Sequence, residues 1–136
     1  MQKNIVMRDY RITITSTVDG ETNEIITFGN VIKEYGATAV SYFDDETNSP
    51  TKIVIGCDNV CIIREGEINS VLTFEEGKVT DSAIHTIYGE IPLSLETMCI
   101  GCSEWEGGVG VKLDYITDLA GEKNRFAISV RAEKIN

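Results

Sequence analysis

The residues predict an all-β chain rolled into a closed antiparallel up-and-down β-barrel of about eight to ten strands. Three observations carry this. β-Branched residues dominate, with 18 Ile, 11 Val and 13 Thr against five Leu and six Ala. Branching at Cβ stiffens χ1 and suits a pleated strand, whereas Leu and Ala are the usual helix fillers. Apolar residues recur with a period of two, and no window sustains the i, i+3, i+4, i+7 repeat of an amphipathic helix. Turn pairs punctuate the chain, many of them about 8–12 residues apart, the spacing of sandwiches and barrels.

Strands are expected at 8–18, 22–33, 37–44, 51–57, 60–65, 67–75, 79–87, 90–100, 108–117 and 123–133. In the first, Ile12, Ile14 and Val18 alternate with Arg11, Thr13, Thr15 and Thr17. In the ninth, Val109, Val111, Leu113 and Tyr115 alternate with Gly110, Lys112 and Asp114; in the tenth, Phe126, Ile128, Val130 and Ala132 do so with Arg125, Ala127, Ser129 and Arg131. Each presents one face to a core and one to water. The links are Asp19-Gly20, Tyr35-Gly36, Asp58-Asn59, Glu65-Gly66, Glu76-Gly77, Tyr88-Gly89, Gly107-Gly108 and Ala120-Gly121. Such pairs supply the positive φ that tight hairpins demand.

The one longer connection runs from Asp45 to Pro50. A Greek-key sandwich needs a long link between sheets, so short hairpins imply a meander, and a long twisted meander closes on itself to remove its edges. Pro50 fits where a strand starts without a donor. Pro92, inside a strand-like stretch, belongs at an edge or a bulge.

A chain of 136 residues suits a single domain over 1–136, long enough to bury a core without disulfide or metal staples. Twelve Lys and Arg against 22 Asp and Glu give a net charge of -10. That charge repels phosphate backbones and anionic lipid, so neither nucleic acid nor a membrane is expected as a partner. Met1 to Arg11 lack the charged-then-apolar order of a signal peptide, and a cytoplasmic address with reduced cysteines is expected.

Several strands are apolar on both faces, as at Ile25-Ile26, Ile53-Val54-Ile55 and Cys61-Ile62-Ile63. Either the segment with Ile5, Val6 and Met7 covers the outside, or a second copy does so in a homodimer. The interior of such a barrel is either filled by side chains or holds one small, largely apolar ligand. Arg64 shares a face with Ile62 and precedes the Gly66 turn, which puts its guanidinium at a barrel mouth. There it pairs with a carboxylate such as Glu90 or Glu96, or serves a ligand. Tyr88, on one face with Thr86, adds a candidate hydroxyl, and His85, the sole histidine, is a weaker candidate beside its ordinary structural role.

The cysteines fall as Cys57-x3-Cys61 and Cys99-x2-Cys102. The spacing superficially matches two pairs of zinc ligands, but neither pair forms a Cys-x2-Cys-Gly knuckle, and inert thiols are the simpler reading. No metal or cofactor is expected. Glu104 and Glu106 flank Trp105 before Gly107-Gly108 and read as a solvated turn. No Gly-x-Ser-x-Gly elbow, EF-hand or phosphate-cradling loop is present, so no catalytic residue is assigned.

The strings Ile62-Ile63-Arg64-Glu65-Gly66, Leu72-Thr73-Phe74-Glu75-Glu76-Gly77 and Thr86-Ile87-Tyr88-Gly89-Glu90-Ile91-Pro92-Leu93, with the tyrosine strand near Tyr115, resemble the YwiB-like family of small bacterial proteins. The order Arg-x-Gly, Phe-x-x-Gly, Thr-x-Tyr-Gly spans nearly the whole chain. The resemblance implies a calycin-like, lipocalin-type barrel and no assigned function. The four cysteines are not part of that pattern, and the Gly-x-Trp that opens lipocalins is absent, so ligand transport would be fold-level analogy. The reading is a small-molecule-binding barrel anchored by Arg64, Tyr88 and His85. Its alternative is a filled barrel acting as a structural or homodimerising interaction module. A connected cavity of at least ~300 Å3 would separate the two.

Overall fold

Short hairpins between stiff strands leave each strand its sequence neighbour as partner. In the computed structural model, which describes residues 9–45 and 49–135, they form β1 (Tyr10–Val18), β2 (Glu21–Glu34), β3 (Ala37–Asp44), β4 (Ser49–Ile55) and β5 (Val60–Arg64), followed by β6 (Asn69–Phe74), β7 (Val79–Thr86), β8 (Gly89–Trp105), β9 (Gly108–Leu119) and β10 (Glu122–Lys134). The order around the wall follows the chain, and β1 closes the cylinder against β10 from Tyr10↔Lys134 to Val18↔Phe126. Among the described residues there is no helix, and hence none long and apolar enough to cross a membrane. Three of the tight turns hold as read: Asp19, Tyr35 and Ala120 take φ of 52, 53 and 54°, each followed by a glycine of positive φ, the backbone of a type I′ hairpin. Asp58-Asn59 does not, since neither residue has positive φ and the link is closed by Gly56 N–H donating to the Asn59 carbonyl.

Strand bounds lie within two residues of those expected, with one exception. β8 does not end at Ile100 but continues to Trp105, so Glu104 lies in a strand, where it meets Lys33, and only Glu106 is left to the turn. The cause is a bulge between Thr97 and Cys99 on β8 against β9. Leu93, Leu95 and Thr97 are buried before it, and after it Ile100 and Cys102 stand opposite the buried Leu113 and Val111. One extra residue inverts the alternation and hides the second half of the strand from a period-two reading. Pro92 sits where β8 has a partner on the β7 side, Ala83, while pairing with β9 begins only at Ser94. This is the local edge that proline requires.

The inner faces of all ten strands supply one core. Ile12, Phe74, Leu95 and Ala132 are 0% exposed, so neither solvent nor a water-sized void touches them. Phe74 meets Tyr115 edge-on at 4.8 Å, and Tyr115 stacks on Phe126 at 5.4 Å. The centre of the lumen that could have held an apolar ligand is therefore occupied by side chains. On the outer wall Ile26, Ile32 and Val71 remain more than half exposed. Ile5, Val6 and Met7, one candidate cover for that wall, lie outside the described residues.

Candidate functional site

Among the described residues the wall is incompletely paired between β6 and β7, which meet only from Asn69↔His85 to Val71↔Ala83, and between β2 and β3. The latter two strands pair only from Gly29↔Tyr42 to Glu34↔Ala37. Beyond that point Glu21–Phe28 pairs with β1 alone, and Phe43 and Asp44 pair with β4 alone. Gly29 fixes where they meet: a Cβ there would stand 2.0 Å from the Ser41 carbonyl oxygen, so only glycine lets the two backbones approach before they part. Outside the parting lies a groove of about 430 Å3, lined by Phe28, Phe43, Pro50 and Ile63 with Asn30 and Lys52 as polar members. Inside it is a recess of about 50 Å3 among Ile14, Ile25, Thr27, Tyr42 and Asp44. Tyr42 and Phe43 border both.

Behind Tyr42 the interior turns polar. Val60, Ile62 and Arg64 share the inner face of β5, and Arg64 stands across from Thr51 on β4 and Ser70 on β6. Both hydroxyl residues are buried, at 2% and 7% exposure. Thr51 is also the cross-strand neighbour of Tyr42. Burial pushes the Tyr42 phenol above its ordinary pKa; the Arg64 guanidinium, through its charge and a hydrogen bond to that phenol, pulls the other way, and Asp44 adds to the rise. Tyr115 is pushed up to about 12 by burial, again opposed by the charge of Arg64. Both phenols stay protonated across the neutral range. The Nε of Arg64 is buried without a hydrogen-bond partner, as are the Ser82 and Thr97 hydroxyls.

A family model for DUF1934, a domain of unknown function, matches residues 9–127. The chain belongs to this family. The crystal structure of the ywiB protein from Bacillus subtilis is similar to it, with a TM-score of 0.80 at 18% identity over 93% of this chain and 90% of that one. At that identity the likeness concerns the fold, the ten-strand barrel. No curated protein matches.

In this DUF1934 barrel the three residues singled out from sequence do not converge. Arg64 points inward, as its alternation with Ile62 implies. Tyr88 is 93% exposed at the β7–β8 turn, where its backbone N–H donates to the Thr86 hydroxyl at 3.0 Å. His85 lies on the outer face, opposite Asn69, with its Nε2 3.5 Å from Glu90. Glu90 thus sits with His85 outside rather than with Arg64, and Glu96 is exposed. Tyr42, Thr51, Ser70 and Tyr115 surround Arg64 instead. Three of the four cysteines are exposed, and Cys61 is half-buried with its thiol 3.7 Å from the Thr73 hydroxyl. Among the described residues no three His, Cys, Asp or Glu side chains are grouped to hold a metal.

Two consequences of the polar interior can be measured. Thr97 is 0% exposed and its hydroxyl has no partner. A buried hydroxyl without a bond costs free energy that an isosteric methyl does not. Thr97→Val is expected to stabilise the barrel by about 1–2 kcal/mol in urea unfolding; a loss would mean that the hydroxyl has found an acceptor. Tyr115 gives the barrel an alkaline limit. Below pH 10, its ordinary value, the phenol is neutral folded or unfolded; between 10 and about 12 only the unfolded chain ionises. The stability present at lower pH is then lost as pH rises through that window, by roughly 2–3 kcal/mol for this group. Tyr42 adds in the same direction. Tyr115→Phe is expected to flatten the fall of the urea midpoint on the alkaline side, and superimposable profiles would contradict the assignment.

Proposed function

We propose that the protein binds a small molecule at the parting of β2 and β3. An apolar body lies along Phe28, Phe43, Pro50 and Ile63, and a polar end turns toward Tyr42 and Thr51. The observation that carries this reading is the coincidence of the break in the wall with a groove of about 430 Å3, within the ~300–1,000 Å3 range of small-ligand sites. The filled centre moves the ligand from the lumen to its side entrance. A cytoplasmic setting, in which the exposed thiols stay reduced, belongs to the same proposal.

Native mass spectrometry of gently purified protein should show one adduct per chain. The neutral dye N-phenyl-1-naphthylamine should bind with one-to-one saturation, and Phe43→Ala should weaken it about tenfold, in keeping with the loss of one buried aromatic contact. Absence of saturable binding, or binding untouched by both Phe43→Ala and Phe28→Ala, would defeat the reading. The exposed Ile26, Phe28 and Ile32 along one edge of the groove favour a second reading, a homodimer that covers this wall. A spectrum of dimers without adduct would decide for it.

A further inference from the structure

We infer that the ligand is an amphipathic oxyanion, an apolar body ending in a carboxylate or a group of like shape, and that Arg64 receives this end. The inference rests on the reading of the β2–β3 parting as a binding site. Arg64 is the one cation on the inner face of this stretch of wall, flanked by the buried Thr51 and Ser70. Its Nε–H is buried and unpaired. A guanidinium meets an oxyanion most strongly side-on, through Nε–H and one Nη–H taken by two oxygens in parallel. The vacant donor is half of that fork. Tyr42 and Tyr115 remain neutral phenols, so they present no competing negative charge and can themselves donate.

Arg64 stands one residue behind the groove: its neighbours Tyr42 and Thr51 belong to the lining, and the acid end of the ligand passes between them to meet it. The surrounding charges set the second condition. Asp44 and Asp45 border the inner recess, Glu65 borders the outer groove beside Lys52, and the whole chain carries -10. A bare inorganic anion is repelled on approach. An anion attached to an apolar chain gains from Phe28 and Phe43 on the way in and meets the guanidinium only at the end.

The test uses decanoate and decan-1-ol, equal in chain length and different in charge, as competitors of the neutral dye. Decanoate should displace the dye at least about tenfold more effectively than the alcohol, as a charge-assisted pair in a partly desolvated site requires. Arg64→Gln should abolish that preference while leaving the alcohol within about twofold. Should the glutamine variant fail to fold by circular dichroism, Arg64→Lys serves, since it keeps the charge without the planar fork and should lose most of the preference. Equal binding of acid and alcohol to the unaltered protein overturns the inference and leaves the small-molecule reading in place. A preference that survives both Arg64 variants also overturns it. Failure of the dye and both decyl compounds to bind sinks the underlying reading instead.

Discussion

Phe74→Ala is expected to lower the free energy of unfolding by about 3–5 kcal/mol. Phe74 is fully buried on the inner face of β6. Its ring meets Tyr115 at 63° and 4.8 Å, and Tyr115 is stacked in turn on Phe126 at 10° and 5.4 Å. Removing the ring forfeits its burial, one edge-to-face aromatic pair, and the support that holds Tyr115 in place. Phe74 is paired with Val60 on β5, which holds the wall on that side of the space, whereas the pairing of β6 with β7 ends at Val71. Urea unfolding followed by Tyr and Trp fluorescence measures the loss, with Phe74→Leu as a milder companion. A loss below about 1 kcal/mol would mean a loosely filled centre, and the lumen itself would again be open to a ligand.

Most of the wall was legible because strand structure has a local signature. Val109 to Tyr115 and Phe126 to Ala132 alternate without a fault, and their pairing joins like faces, Val111 to Val130 and Leu113 to Ile128. The hairpin pairs beginning at Asp19, Tyr35 and Ala120 carry their backbone demand in two residues. β8 escaped because Met98 is inserted at a bulge, and nothing in its composition marks the change of phase. Arg64 was legible as an inward charge from its spacing to Ile62. Its surroundings were not. Tyr42 and Thr51 come beside it only through the registers of β3 with β4 and of β4 with β5, and a register is a property of two strands that neither one spells out alone. His85 could have been placed outside, since the next residue back, Ile84, stands across from the inward Ser70. Tyr88 belongs to a turn, where alternation no longer tells inside from outside.

The parting of β2 and β3 has no signature except Gly29, which makes that residue the sharpest test of the site. Gly29→Ala is expected to cost about 3 kcal/mol or more, the upper range for forcing extra atoms into a filled interior. The added methyl would lie 2.0 Å from the Ser41 carbonyl oxygen and 2.7 Å from Ile12 Cδ1. The Ile12 side chain is fully buried and has nowhere to turn, and the carbonyl belongs to the backbone of β3, so relief comes only by moving one strand away from the other. That movement begins at the last β2–β3 pair, between the rings of Phe28 and Phe43, and it should weaken the neutral dye together with the fold. Gly101→Ala is the control. A methyl at Gly101 meets nothing nearer than Lys112 Cβ at 3.9 Å, an ordinary contact, and should leave stability within about 0.5 kcal/mol. If Gly29→Ala proved as silent as Gly101→Ala, the two strands would not be held in close approach there, and the opening beside them would lose the feature that fixes its width.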